Sequence, residues 1–204
     1  MKELRQRNRR AEIVKDTIFR ILVLMEDKMM QRNTNIIWTA ALAICTVAGM
    51  AAAADFERAE EKHFLTKVSG SQEAEIAFGR MAADRAESAK VKQFGQRMIE
   101  DHQKAAMEVK QLAVKQGIDL PAPMVPEEKE QAENFAQLAG KEFDRAYIGY
   151  MVKEHMKDVA EFEHTGKQLK DPSVKQWVSA TLPVLKEHLT IAKSIADDMG
   201  ISSK

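Results

Sequence analysis

The sequence holds one cysteine, Cys45, five prolines, nine glycines and two tyrosines in 204 residues. A lone cysteine rules out an intramolecular disulfide and a metal site built on several thiolates. The prolines are confined: Pro121, Pro123 and Pro126 share one short stretch, Pro172 follows Asp171, and only Pro183 falls inside a helical pattern. Period-2 runs of β-branched residues are absent, so no strands are expected. Neither sign of charge prevails, with 31 Lys+Arg against 31 Asp+Glu. A chain without basic excess cannot neutralise a run of phosphates, which argues against nucleic acid as a partner.

The first change of character falls between Ala54 and Asp55. Residues 36–54 read IIWTAALAICTVAGMAAAA, almost wholly apolar, after a short polar stretch with Arg32. A basic start, an apolar middle and a small-residue end mark a secretory signal peptide. Cleavage is expected after Ala54, with Ala52 at −3. Ile44 before Cys45 fits a lipoprotein signal poorly, so Cys45 reads as part of the apolar run. The upstream residues 1–28, with Arg5, Arg7, Arg9 and Arg10, read as an over-extended N-terminus, translation starting at Met29 or Met30. An uncleaved anchor is the alternative, because 19 apolar residues just span a bilayer. Cleavage would leave residues 55–204 without a membrane span, exported to the periplasm or elsewhere in the cell envelope. That portion keeps 22 basic and 26 acidic residues and no cysteine.

Residues 55–204 read as all-helical. Asp55 to Lys67 is expected as a short lead-in ended by Ser69-Gly70-Ser71, with helix from about Gln72 to Ala86. A second helix is expected from Ser88, a possible N-cap, to Gln116, stopped by Gly117. Leu120-Pro-Ala-Pro-Met-Val-Pro126 must be a connecting loop. A short helix from Glu127 to Leu138 follows, then one from Lys141 to Leu169. Asp171-Pro172 opens a last helix ending near Gly200, which Pro183 should kink or deprive of a hydrogen bond. Two helix pairs joined by one long crossover is the layout of a ferritin-like four-helix bundle.

Alternating steps of four and three trace one seam per helix. The second helix gives Val91, Gly95, Met98, His102, Ala105, Val109 and Leu112. The next long helix gives Ile148, Val152, His155, Val159 and Phe162. The last gives Val174, Val178, Thr181, Leu185, His188, Ala192 and Ile195. Each seam carries a histidine with apolar residues a turn away on both sides. Glu75, in the short seam Glu75, Phe78, Ala82, lies 12 residues before the turn near 87, and His102 lies 15 after it. His155 lies 15 before the turn near 170, and His188 lies 18 after it. Offsets of three residues amount to only ~4–5 Å along a helix. The four groups can therefore meet near mid-bundle, with Glu73 competing for the place of Glu75.

Three neutral imidazoles and one carboxylate suit a single Zn²⁺, Cu²⁺ or Fe²⁺ and not Ca²⁺ or Mg²⁺. The residues three before the histidines are Ile99, Val152 and Leu185, whereas a di-iron centre would need glutamates there. Asp101, Asp158 and Tyr147 are candidate partners for the ring nitrogens that do not face a metal. Their plainer readings are surface charge for the aspartates and core packing for the tyrosine. Met98 and Met151 point to copper or, more simply, to core filling. His63 and His164 read as surface, and Lys110, Lys115, Lys153 and Lys157 as solvated faces. Without a metal, the histidines would form a hydrogen-bonded polar layer around Glu75 that fixes helix register.

The stretch Phe94-Gly-Gln-Arg-Met-Ile-Glu-Asp-His102 resembles a signature of a bacterial ferritin-like family, domain of unknown function 4142. So do Leu138-Ala-Gly-Lys-Glu-Phe-Asp-Arg-Ala-Tyr147 followed by His155, and Leu182-Pro-Val-Leu-Lys-Glu-His188. The resemblance spans about residues 58–198 and implies an exported four-helix bundle, with no activity attached. The motif around Phe143-Asp144-Arg145 lies away from the histidines along the helix and reads as architectural. The expected role is metal binding, in metal or oxidative-stress handling. A non-catalytic envelope structural or interaction protein is the alternative. A metal-dependent oxidase or hydrolase with an open coordination position is the third reading.

Overall fold

The computed structural model describes residues 15–20, 34–120 and 124–201. Met29, Met30 and Arg32 of the expected leader and Pro121 and Pro123 of the connecting loop lie outside the described residues, as do the side chains of 34–55. The chain divides into two compact units, Met1–Ala54 and Asp55–Lys204. The described residues are helical, with one isolated β-bridge between Ala86 and Gly140. None of the described helices is long and apolar enough to cross a membrane.

In the first unit, residues 15–20 form helix α1. Helix α2 is Thr34–Arg85, and its residues from Asp55 onward belong to the second unit. The second unit continues with α3, Ala89–Gln116, α4, Pro126–Ala136, α5, Gly140–Gln168, and α6, Pro172–Asp198. Local chemistry sets these limits. Gly117 ends α3 at φ 65°, in the left-handed region open to glycine. Pro126 and Pro172 sit in the first turns of α4 and α6, where a missing N–H costs nothing. Asp171 caps α6 by accepting from Ser173 N at 2.7 Å and Val174 N at 3.0 Å. Helix α6 passes through Pro183, which lies on its exposed face.

One expectation is overturned. Ser69-Gly70-Ser71 does not end a lead-in, because α2 runs through it unbroken. The reason is a seam longer than the sequence reading allowed: Leu65, Val68, Gln72, Glu75, Gly79, Ala82 and Ala86 are all buried. Burying an apolar stripe stabilises a helix by more than the ~1 kcal/mol that a single glycine costs. Ser71 Oγ turns back onto Lys67 O at 3.4 Å, so its hydroxyl does not compete with the helix.

The turns are fastened from across the unit. Asp144 on α5 is buried and accepts from Glu87 N at 3.1 Å and Ser88 N at 2.8 Å, fixing the α2–α3 turn. Ser88 is the N-cap residue, but its side chain makes no capping bond. Glu61 on α2 does the same for the α5–α6 turn, accepting from Lys170 N and Asp171 N at 2.9 and 2.6 Å. Arginines cover helix C-terminal carbonyls: Arg58 reaches Gln116 O, Arg85 reaches Ala136 O and Arg145 reaches Met199 O. The Asp144-Arg145 motif is thus architectural, as expected.

Helices α2 and α3 meet closely at Gly79 and Gly95. A Cβ on Gly95 would stand 2.7 Å from Ala82 Cβ and 2.8 Å from Gly79 O. Two apolar clusters fill the interior. One is built around Phe78, Phe94, Met98, Phe143, Tyr147 and Met151, the other around Phe64, Leu65, Val109, Phe162, Trp177 and Leu185. Along α3, α5 and α6 the chain passes from one cluster to the other at His102, His155 and His188 respectively. The histidines form the polar layer between the two.

Candidate metal centre

His102, His155 and His188 converge. Their ring centroids stand 6.0 Å (His102–His155), 5.3 Å (His102–His188) and 5.3 Å (His155–His188) apart. Each offers a ring nitrogen, and the three lie within 4.8 Å of one another. All three side chains are buried, His155 at 0% exposure. The seam register and the matched heights brought them together, as the sequence indicated.

Each ring is held by one nitrogen and free at the other. His102 Nδ1 donates to Gln72 Oε1 at 2.8 Å, His155 Nδ1 to Met151 O at 3.1 Å, and His188 Nε2 to Asp101 Oδ2 at 2.8 Å. Those oxygens can only accept, so the protons of the neutral rings point outward. What remains inside is a set of lone pairs: His102 Nε2, His155 Nε2 and His188 Nδ1 have no hydrogen-bond partner. Three buried acceptors facing one another repel, and each lost hydrogen bond costs about 1–3 kcal/mol. These three nitrogens could hold a metal ion, because imidazole ligates through its lone pair while its N–H is anchored elsewhere.

Burial holds all three rings neutral. It pushes His102 well below its usual value, helped by His155 and His188. His155 is lowered to about 3 by burial and by His188. His188 is lowered by burial, against the opposing pull of Asp101. Neutral imidazole is the metal-binding form.

The acidic residues sort differently. Glu75 is buried and Glu73 exposed. The Glu75 carboxyl oxygen Oε2 lacks a partner, like Tyr147 Oη. Glu75 groups with His155 and Asp158, whose ligand atoms all lie within 4.8 Å, and is not part of the three-histidine group. Burial raises Glu75 well above the ordinary carboxylate range, and Asp158, Glu154 and Glu128 add to the shift. Burial likewise lifts Asp158 to about 7, with Glu154 and Glu161 contributing. Tyr147 is pushed up by burial and then by the charge of Glu75. Asp101 and Asp158, alternatively read as surface charge, are both half-buried and turned toward the histidines.

Gln72 was missed by the sequence reading. Its signal was the seam itself, one step upstream of Glu75, hidden by the break expected at Ser69-Gly70-Ser71. Met98 and Met151 are fully buried in the apolar cluster and serve as core. His63 and His164 are exposed, as expected. A cavity of about 110 Å³, lined by Gln72, Asp101, His102, Thr181, Leu185 and His188 among others, approaches the triad from the α3–α6 side.

Comparison with known proteins follows the same segments. The family described as Domain of unknown function (DUF4142) matches residues 45–195. The chain belongs to that family. No curated protein matches it. In fold it is similar to a crystal structure of a DUF305 fragment from Deinococcus radiodurans, with a TM-score of 0.62 and 11% identity. The likeness covers 68% of this chain and 96% of that one. At that identity it concerns the fold alone, and the site rests on its own geometry.

Proposed function

We propose that residues 55–204 form an exported, ferritin-like four-helix bundle whose three histidines bind one transition metal, Zn²⁺, Cu²⁺ or Fe²⁺, in metal or oxidative-stress handling. The observation that carries this reading is the set of inward ring nitrogens of His102, His155 and His188, buried and without partners, while each outward nitrogen is anchored. Nitrogen ligands of a tetrahedral metal sit ~2.1 Å from the ion and so ~3.4 Å from one another. Side-chain closure from within 4.8 Å brings the rings to that spacing. Three neutral ligands leave the charge of a divalent ion uncompensated. Glu75, buried beside His155 with Oε2 unpartnered, is the carboxylate proposed to complete the set as fourth ligand. Export rests on the apolar run 36–54 and its alanine-rich end, and places the mature N-terminus near Asp55.

The test is titration of the purified domain with Zn²⁺ and Cu²⁺, followed by calorimetry and melting temperature. Binding to the folded state raises stability by about 2.7 kcal/mol when free metal reaches 100 times Kd. Alanine at His102, His155 or His188 should weaken binding sharply. Alanine at His164, exposed and hydrogen-bonded to Gln168, should not. If His102→Ala binds as tightly as the parent, the histidines are a structural layer of the core. One observation favours that second reading: a protonated Glu75, promoted by its burial, has an O–H to offer one of the inward nitrogens.

A further inference from the structure

His155 belongs to two groups at once. It completes the three-histidine set, and it stands with Glu75 and Asp158 in a second set whose donor atoms also lie within 4.8 Å of one another. Its Nδ1 is engaged with Met151 O, so only Nε2 is available to either. Glu75 Oε2 and His155 Nε2 are both buried and both lack a partner, so this corner carries unanswered polar atoms as well as acidic residues. Asp158, half-buried on α5 one turn beyond His155, stands among Glu154 and Glu161 on the same helix, with Lys67 and Lys157 also close.

We infer that Glu75, His155 and Asp158 form a second cation position, oxygen-rich and mutually exclusive with the three-histidine position because both require His155 Nε2. Two carboxylates and one imidazole suit Mn²⁺, a harder ion than the Zn²⁺ or Cu²⁺ favoured by three imidazoles. Two carboxylates also cancel the charge of a divalent ion, which three neutral rings cannot do. The centre then has two alternative seats for one ion, chosen by the hardness of the metal. This deepens the metal reading and shares with it His155 and, as proposed fourth ligand, Glu75, while Asp158 belongs only to the second seat and His102 and His188 only to the first.

Mn²⁺ followed by electron paramagnetic resonance tests the second seat, and Zn²⁺ calorimetry tests the first. The parent domain should bind one Mn²⁺, and Zn²⁺ should expel it one for one. Asp158→Asn, nearly isosteric, should weaken Mn²⁺ at least ~10-fold, the smallest effect expected when even an outlying partner of a metal is lost, and leave Zn²⁺ affinity within about twofold. The double variant His102→Ala/His188→Ala should bind Zn²⁺ more weakly than the parent and keep Mn²⁺ affinity. If that variant fails to fold, the Asp158→Asn comparison decides alone. Simultaneous binding of Zn²⁺ and Mn²⁺, or Mn²⁺ affinity unchanged in Asp158→Asn, overturns the inference. Absence of Zn²⁺ binding with Mn²⁺ retained overturns the three-histidine reading and leaves this one standing.

Discussion

His188 Nε2 lies 2.8 Å from Asp101 Oδ2, a bond across α3 and α6 that turns the other ring nitrogen toward His102 and His155. Asp101 is itself steadied by Arg97 Nε at 3.3 Å, and Arg97 also pairs with Glu187 at 2.8 Å. The sequence neighbour of one candidate ligand, His102, thus orients another.

Replacing Asp101 with Asn should reduce metal affinity at the triad by ~10–100-fold, the usual effect of losing a carboxylate behind a ligating histidine. Glu187→Ala, which removes only an exposed partner of Arg97, should leave affinity unchanged. Zn²⁺ titration of both variants checks this. Equal affinities would show that Asp101 does not orient the ring.

Acid should act in two stages on the metal-free protein. The histidines have folded values below the unfolded ~6.5, so the unfolded chain takes up protons first and their contribution declines as pH falls below that point. For His155 the decline continues down to about 3. Glu75 and Asp158 have raised folded values, Asp158 about 7, so in the folded state they hold protons that the unfolded chain releases above ~4. Their contribution rises as pH falls from 7 to 4 and offsets part of the histidine loss. Melting temperature should therefore decline gently between pH 6.5 and 4.5 and steeply below 4. Glu75→Gln should steepen the upper part of the profile. A parent curve already at its steepest between pH 6.5 and 5.5 would contradict the raised carboxyls.

Two glycine substitutions should have opposite signs. Gly95→Ala puts a methyl group 2.7 Å from Ala82 Cβ and 2.8 Å from Gly79 O, and overpacking of that kind costs about 1–3 kcal/mol. The same shift of α3 should loosen metal binding, since His102 lies two turns further on. Gly149→Ala meets nothing within 4 Å and should gain about 0.5–1 kcal/mol by reducing the freedom of the unfolded chain. Urea unfolding of the two variants measures both effects.

Asp144→Ala removes the acceptor shared by Glu87 N and Ser88 N. Leaving these donors unpaired in a part-buried turn should cost about 1–3 kcal/mol. Asp84→Ala, exposed near the end of α2, is the control. Equal midpoints in urea for the two variants would mean that the turn holds without its carboxylate.

The sequence alone determined where the helices of residues 86–201 begin and end, because Gly117, Pro126, Asp171-Pro172 and Gly200 act on their own neighbours through backbone geometry. It also determined which face of each helix is buried and at what height His102, His155 and His188 lie, since 3.6-residue periodicity and a fixed rise per residue convert position into angle and depth. The tertiary structure alone decided what those rings do. For His102 and His188, whether Nδ1 or Nε2 faces inward depends on an acceptor from elsewhere, Gln72 on another helix or Asp101 beside a different histidine, and no local pattern encodes that pairing. Continuity of α2 through Ser69-Gly70-Ser71 was also decided there, because the apolar stripe gains its stabilisation only once its partners are in place. Glu75 stands beside His155 and Asp158, apart from the three-histidine group, because height and face leave side-chain direction open by several ångströms, and a metal site is defined on that scale.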